Sequence, residues 1–143
     1  MKTNQNRDNF YLQLAFQQAE INLGSTKSNP SVGCVVVKNN SVISSGRTSL
    51  DGRPHAEAKA LKKNINFKNS DIYVTLEPCS HYGKTPPCVK KIIAKKISRV
   101  IFSINDNDPR SMNKAENILK KKKYLLQSLY LEIMLKLFTK VTF

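Results

Sequence analysis

The order of apolar and polar positions divides the chain into helices and strands that alternate. From about Asp8 to Asn22, Phe10, Leu14, Ala15 and Ile21 fall near helical spacing with Asp8 as N-cap, predicting an amphipathic helix that ends around Gly24. Gly24-Ser25-Thr26-Lys27-Ser28-Asn29-Pro30 is loop chemistry. Val32-Gly33-Cys34-Val35-Val36-Val37 is a β-branched run, and with Val42-Ile43 beyond Lys38-Asn39-Asn40-Ser41 it predicts a hairpin turning at Asn39-Asn40. Cys34, inside the first strand, is expected in the core, because free cysteine packs as a small hydrophobe.

Gly46 to Arg53 reads as a loop, and Pro54 suits a first helical position, so a helix over about Pro54 to Asn64 carries His55 and Glu57 in its first turn. Asp71 to Leu76 is the next strand, leading to Glu77-Pro78-Cys79. Pro86-Pro87 opens a helix to about Lys96, with Val89, Ile92 and Ile93 at helical spacing and Cys88 in the first turn. Arg99 to Ile104 is a further strand, ending at Asn105-Asp106-Asn107-Asp108-Pro109, and a helix is expected from about Lys114 through the Lys120 to Lys123 run. The sum is an α/β domain of three layers, α/β/α, with a mixed central sheet of about five strands and an antiparallel hairpin at one edge. The domain is expected over 1–123. Residues 124–143, with Leu125, Leu129, Ile133 and Leu137 on one face, are expected as a C-terminal helical tail, too short and too charged for a membrane span.

A chain of 143 residues is long enough to bury a core without metal or disulfide staples. An odd cysteine count of 3 and a polar start from Met1 to Asn9 lead to the expectation of a reducing cytoplasm and no disulfide. The 24 Lys and Arg against 10 Asp and Glu give a net charge of +14. A nucleic-acid or phosphorylated partner is one reading of that excess. Solubility is the other and the preferred one, because Lys62, Lys63, Lys90, Lys91, Lys95 and Lys96 fall at helix-surface positions.

The chemistry lies in Pro54-His55-Ala56-Glu57 and in the stretch from Thr75 to Cys88. His55, Cys79 and Cys88 are the ligand types that suit Zn²⁺, and three protein ligands leave a fourth tetrahedral position for water or hydroxide. One Zn²⁺ per chain is expected. Glu57, two residues after the histidine, is the natural proton carrier. His-x-Glu followed by Pro-Cys and a second cysteine is the signature of zinc deaminases, whose glutamate is not a ligand.

Asn29-Pro30-Ser31-Val32-Gly33-Cys34, Gly52-Arg53-Pro54-His55-Ala56-Glu57-Ala58 and Tyr73 through Cys88 together resemble the deaminase domain of the bacterial riboflavin-biosynthesis deaminase/reductase, in the cytidine-deaminase-like superfamily. The likeness covers roughly Phe10 to Pro109. The long Ser80-His81-Tyr82-Gly83-Lys84-Thr85-Pro86-Pro87 loop between the cysteines is its most specific part, since other branches of that superfamily have a short one. The resemblance implies Zn²⁺ on His55, Cys79 and Cys88, proton transfer by Glu57, and hydrolytic loss of the 2-amino group of 2,5-diamino-6-(5-phosphoribosylamino)pyrimidin-4(3H)-one. It also implies substrate contacts from Asn29, from His81, Lys84 and Thr85 toward the ribose phosphate, and from Asp106 and Asp108. Asn29 has an alternative as an Asn-Pro turn residue.

The sequence departs from that pattern where Thr48 replaces a common histidine and Asp108 an asparagine. The reductase domain of bifunctional relatives has no counterpart here, which leaves a separate reductase protein or a truncated gene; a tail out of frame after Lys123 is one form of the latter. A homodimer or larger homo-oligomer is expected from the resemblance. Two rivals remain: a nucleic-acid deaminase of the tRNA-adenosine type, which the long cysteine spacing disfavours, and a zinc-binding module without catalysis, which has no use for Glu57.

Overall fold

The computed structural model describes residues 2–80, 86–104 and 123–126, with side chains over residues 6–80 and 86–103. In chain order the elements are α1 (Lys2–Ile21), β1 (Gly33–Lys38), β2 (Ser41–Arg47), α2 (Ala56–Ala60), β3 (Asp71–Leu76), α3 (Cys88–Ala94), β4 (Arg99–Ile104) and β5 (Lys123–Leu126). They build one five-stranded sheet in the order β2-β1-β3-β4-β5. β1 runs antiparallel to β2 and β3, while β3, β4 and β5 are mutually parallel. The mixed sheet with its hairpin edge is the architecture expected from the sequence.

Period-two alternation along the strands supplies two cores. Val35, Val37, Tyr73 and Ile101 face α1 and pack with Tyr11, Leu12, Ala15 and Phe16. Cys34, Val36, Ile72, Val74, Val100 and Phe102 face the other way, onto Ala56, Ala60, Val89 and Ile92 of α2 and α3. Cys34 is fully buried, as expected. Three layers follow directly from this alternation. Gly33 is required where α1 crosses β1, because a Cβ there would run into the backbone of Ala15 and Ala19.

The hairpin turns at Asn39 and Asn40, both with positive φ (53° and 61°), the backbone that two-residue hairpin loops demand. Four other expectations are corrected. α1 begins earlier than Asp8, and Asp8 does not cap it. Its inward stripe is Leu12, Ala15, Phe16 and Ala19, whereas Phe10 and Ile21 are more than half exposed. α2 is only five residues long, so His55 is its N-cap, outside the first turn. Pro87 likewise caps α3, which starts at Cys88 and stops at Ala94. Finally, Lys123 to Leu126, expected as helix, pair with Arg99 to Phe102 of β4. Backbone pairing along an otherwise open sheet edge outweighs the helical spacing of Leu125. The remaining residues of the two helices expected in this part of the chain lie outside the described residues.

Asp8 is released from capping to do something else. Its carboxylate, 4 % exposed, accepts from Tyr73 Oη at 2.6 Å and from Arg99 Nη2 at 2.6 Å. Arg99 Nη1 also donates to Asp71 at 3.0 Å. Burial, then the bond to Asp8, hold the Tyr73 phenol well above its ordinary pKa, so it stays a donor. This pairing ties α1 to the central strands beneath it. Among the described residues, no helix is long and apolar enough to cross a membrane.

Removing the carboxylate leaves half-buried Arg99 with Asp71 alone and takes the acceptor from buried Tyr73. Asp8→Ala is expected to lower the unfolding free energy by about 1–3 kcal/mol in urea denaturation; a loss under about 0.5 kcal/mol would show that Asp71 and water replace Asp8.

Candidate metal centre

The carboxyl end of β3 and the amino ends of α2 and α3 converge on one point. Leu76 ends β3, and the chain leaves through Glu77-Pro78-Cys79. His55 sits immediately before α2 and Cys88 opens α3. The backbone N–H of Cys88 donates to Cys79 Sγ at 3.2 Å, and Val89 N–H to the Cys79 carbonyl at 3.2 Å, so the start of α3 is fastened to the strand exit. Unpaired N–H groups at such helix starts stabilise nearby negative charge.

His55, Cys79 and Cys88 offer one ligand atom each, all within 4.8 Å of one another. His55 Nδ1 lies 3.8 Å from Cys79 Sγ and 3.7 Å from Cys88 Sγ. Tetrahedral zinc, with bonds of about 2.05 Å to nitrogen and about 2.3 Å to sulfur, sets those atoms roughly 3.6 Å apart. The donor set therefore fits the ion in both type and spacing.

Its electrostatics point the same way. The hydrogen bond from Cys88, and then that from His55, outweigh burial and bring Cys79 down to about 4. Cys88 is pushed far up by the same contact and by burial, with the Glu57 carboxylate adding to it. The contact favours thiolate at Cys79 and thiol at Cys88, and a divalent cation between them would let both be thiolates. His55 is raised, first by its bond to Cys79 and, against burial, by Glu57. Glu57 itself, in the first turn of α2, is 4 % exposed. Its charge acts on His55, Cys88 and also Cys34, whose thiol is pushed up by burial first and by Glu57 second. Glu57 is thus buried close enough to the donors and to the sheet for its charge to act on both.

The other expected site residues divide. Asn29 is half-buried, and its Nδ2 donates to the Gly52 carbonyl at 2.9 Å, joining its loop to the segment that leads into His55. The turn alternative and a place near the site are thus compatible. His81, Lys84, Thr85, Asp106 and Asp108 lie outside the described residues. Thr48, the departure from the resemblance, is 1 % exposed and clamps the loop after β2: its Oγ1 accepts from Val32 N–H at 2.9 Å, and its carbonyl accepts from Asn22 Nδ2 at 2.9 Å. Buried Glu77, two residues before Cys79, was given no role from sequence; motif position offered the only clue.

Residues 5–104 match the cytidine and deoxycytidylate deaminase zinc-binding region. A diaminohydroxyphosphoribosylamino-pyrimidine deaminase from Buchnera aphidicola (subsp. Schizaphis graminum) is 40% identical over 117 residues, covering 81% of this chain and 80% of its own. The riboflavin biosynthesis protein RibD of Escherichia coli is 41% identical over 105 residues, 73% of this chain and 29% of that protein. The Thermotoga maritima diaminohydroxyphosphoribosylaminopyrimidine deaminase/5-amino-6-(5-phosphoribosylamino)uracil reductase superposes with a TM-score of 0.85 at 33% identity, over 97% of this chain and 42% of that one. The chain thus spans less than half of the two longer relatives and most of the shorter one. With the donor set and Glu57 in place, it belongs to the cytidine and deoxycytidylate deaminase family, in the branch of the riboflavin-biosynthesis deaminases.

Proposed function

We propose that this chain removes the 2-amino group of 2,5-diamino-6-(5-phosphoribosylamino)pyrimidin-4(3H)-one by hydrolysis, giving 5-amino-6-(5-phosphoribosylamino)uracil and ammonia. The observation that carries this reading is the buried Glu57 carboxylate beside the His55, Cys79 and Cys88 donors. A structural zinc site closes with four protein ligands and needs no such neighbour. Three donors with an enclosed proton carrier suit hydrolysis. The pyrimidine is supported by the name of the Buchnera relative, matched over 81% of this chain.

His55, Cys79 and Cys88 would hold one Zn²⁺ per chain, which when bound would supply the acidity that makes water a nucleophile near neutral pH. Glu57 accepts the proton of that water as its oxygen bonds to the amino-bearing carbon. The same carboxyl then donates that proton to a ring nitrogen, takes the remaining proton from the newly bound hydroxyl as the carbonyl forms and the C–N bond breaks, and gives it to the departing amine, so water enters and ammonia leaves with no net change in the protein. Asn29, with one amide hydrogen held by Gly52, keeps Oδ1 to accept from the pyrimidine. The ribose phosphate is assigned by resemblance to His81, Lys84 and Thr85, and the ribose to Asp106 and Asp108. A separate reductase and a homo-oligomeric state belong to the same reading.

Glu57→Gln keeps the shape and removes the proton carrier. Its ammonia release is expected to fall by about 10²–10⁴-fold with zinc content unchanged; unaltered turnover would sink the mechanism, and cytidine and a tRNA stem-loop serve as control substrates. Cys88→Ser is expected to purify with well under one zinc per chain by plasma mass spectrometry, yet keep its far-UV dichroism, because neither core includes the donor set. Full zinc occupancy in that variant would exclude Cys88 as a ligand.

A further inference from the structure

Glu57 stands on a helix that cannot place itself. α2 has five residues, and its turn is closed by Lys59 N–H to the His55 carbonyl at 3.1 Å and Leu61 N–H to the Glu57 carbonyl at 2.9 Å. A helix of that length has no stability of its own in water. Its place over the sheet must come from what it rests on.

It rests on β2, the edge strand. Ser44, a buried residue of β2, donates from Oγ to the Ala60 carbonyl at 2.6 Å, satisfying an acceptor at the end of α2. Two residues further along, Gly46 lets the helix touch the strand. A Cβ there would strike the carbonyl of Ala56 and the amide nitrogen of Ala60, the first and last residues of α2. Gly46 also pairs with Cys34 across the β1–β2 ladder, and Cys34 is the sheet residue that feels the Glu57 charge. The Gly46–Cys34 row therefore lies directly under α2.

We propose that Ser44 and Gly46 are positioning residues for Glu57, with β2 fixing the height of α2 over the sheet and hence the distance from the carboxylate to the metal donors. His55 has a second hold, through both sulfurs. Glu57 moves with the helix, so loosening β2 displaces the proton carrier while the donor set stays together.

The test is Ser44→Ala, read by amide exchange and by kinetics on the zinc-loaded protein. Exchange of the Lys59 and Leu61 amides is expected to quicken about tenfold, the scale of one lost buried hydrogen bond, while β1 and β3 amides are unchanged. kcat is expected to fall about tenfold, with KM within about twofold and zinc content unaltered. Ser44→Thr, which keeps the hydroxyl, should restore both, and Gly46→Ala should shift both further in the same direction. If Gly46→Ala does not fold, Ser44→Ala decides alone. Unchanged exchange in α2, equal acceleration throughout the sheet, or loss of zinc would each overturn the inference. The kinetic arm rests on the deaminase reading above. Wild-type protein that releases no ammonia removes that reading and leaves the exchange arm to judge this one.

Discussion

A helical turn as short as α2 or α3 is not stable alone, and this site is built on the starts of two of them. Everything else in the described fold serves to hold those starts against the end of β3. The sheet gives a rigid floor because its residues alternate cleanly between two cores, with α1 covering one face and α2 and α3 the other. The Asp8, Tyr73 and Arg99 pairing fastens the far layer through the central strand itself. Rigidity matters here because hydrolysis by a positioned water and a positioned carboxylate is sensitive to displacements of an ångström or less.

The donor set shows why such a site uses these residue types. Two thiols and an imidazole pressed together in partial burial cannot all take their preferred charge states. Cys79 comes down to about 4 chiefly through the hydrogen bond from Cys88 and, against burial, through that from His55. A divalent cation removes that conflict, and the neighbouring carboxylate, which raises Cys88 and His55 when no cation is considered, becomes an electrostatic complement to it. The same burial that would penalise four separate charges makes their combined arrangement strong.

Among its relatives the chain covers 42% of the Thermotoga maritima deaminase/reductase and 80% of the Buchnera deaminase. Lys62, Lys63, Lys90, Lys95 and Lys96, at the ends of α2 and α3 and in the turns after them, are exposed, in keeping with a solubilising role for much of the positive charge.

By itself the sequence determined the order of elements from α1 to β4, the hairpin at Asn39-Asn40 and the grouping of His55, Cys79 and Cys88 as candidate donors, because those rest on local periodicity, turn chemistry and ligand type. It could not give α1 its start, since Asp8 looks like a cap until Tyr73 and Arg99, far along the chain, are brought to it. It overstated α2, whose helical spacing continues past the point where the sheet stops supporting it. It missed β5, because the pattern from Lys123 to Leu126 is compatible with helix and only the open edge of β4 selects strand. The roles of Ser44, Gly46 and Thr48 were likewise invisible. A serine, a glycine and a threonine carry no signal of their own; what they touch is decided by which backbone the fold lays across them.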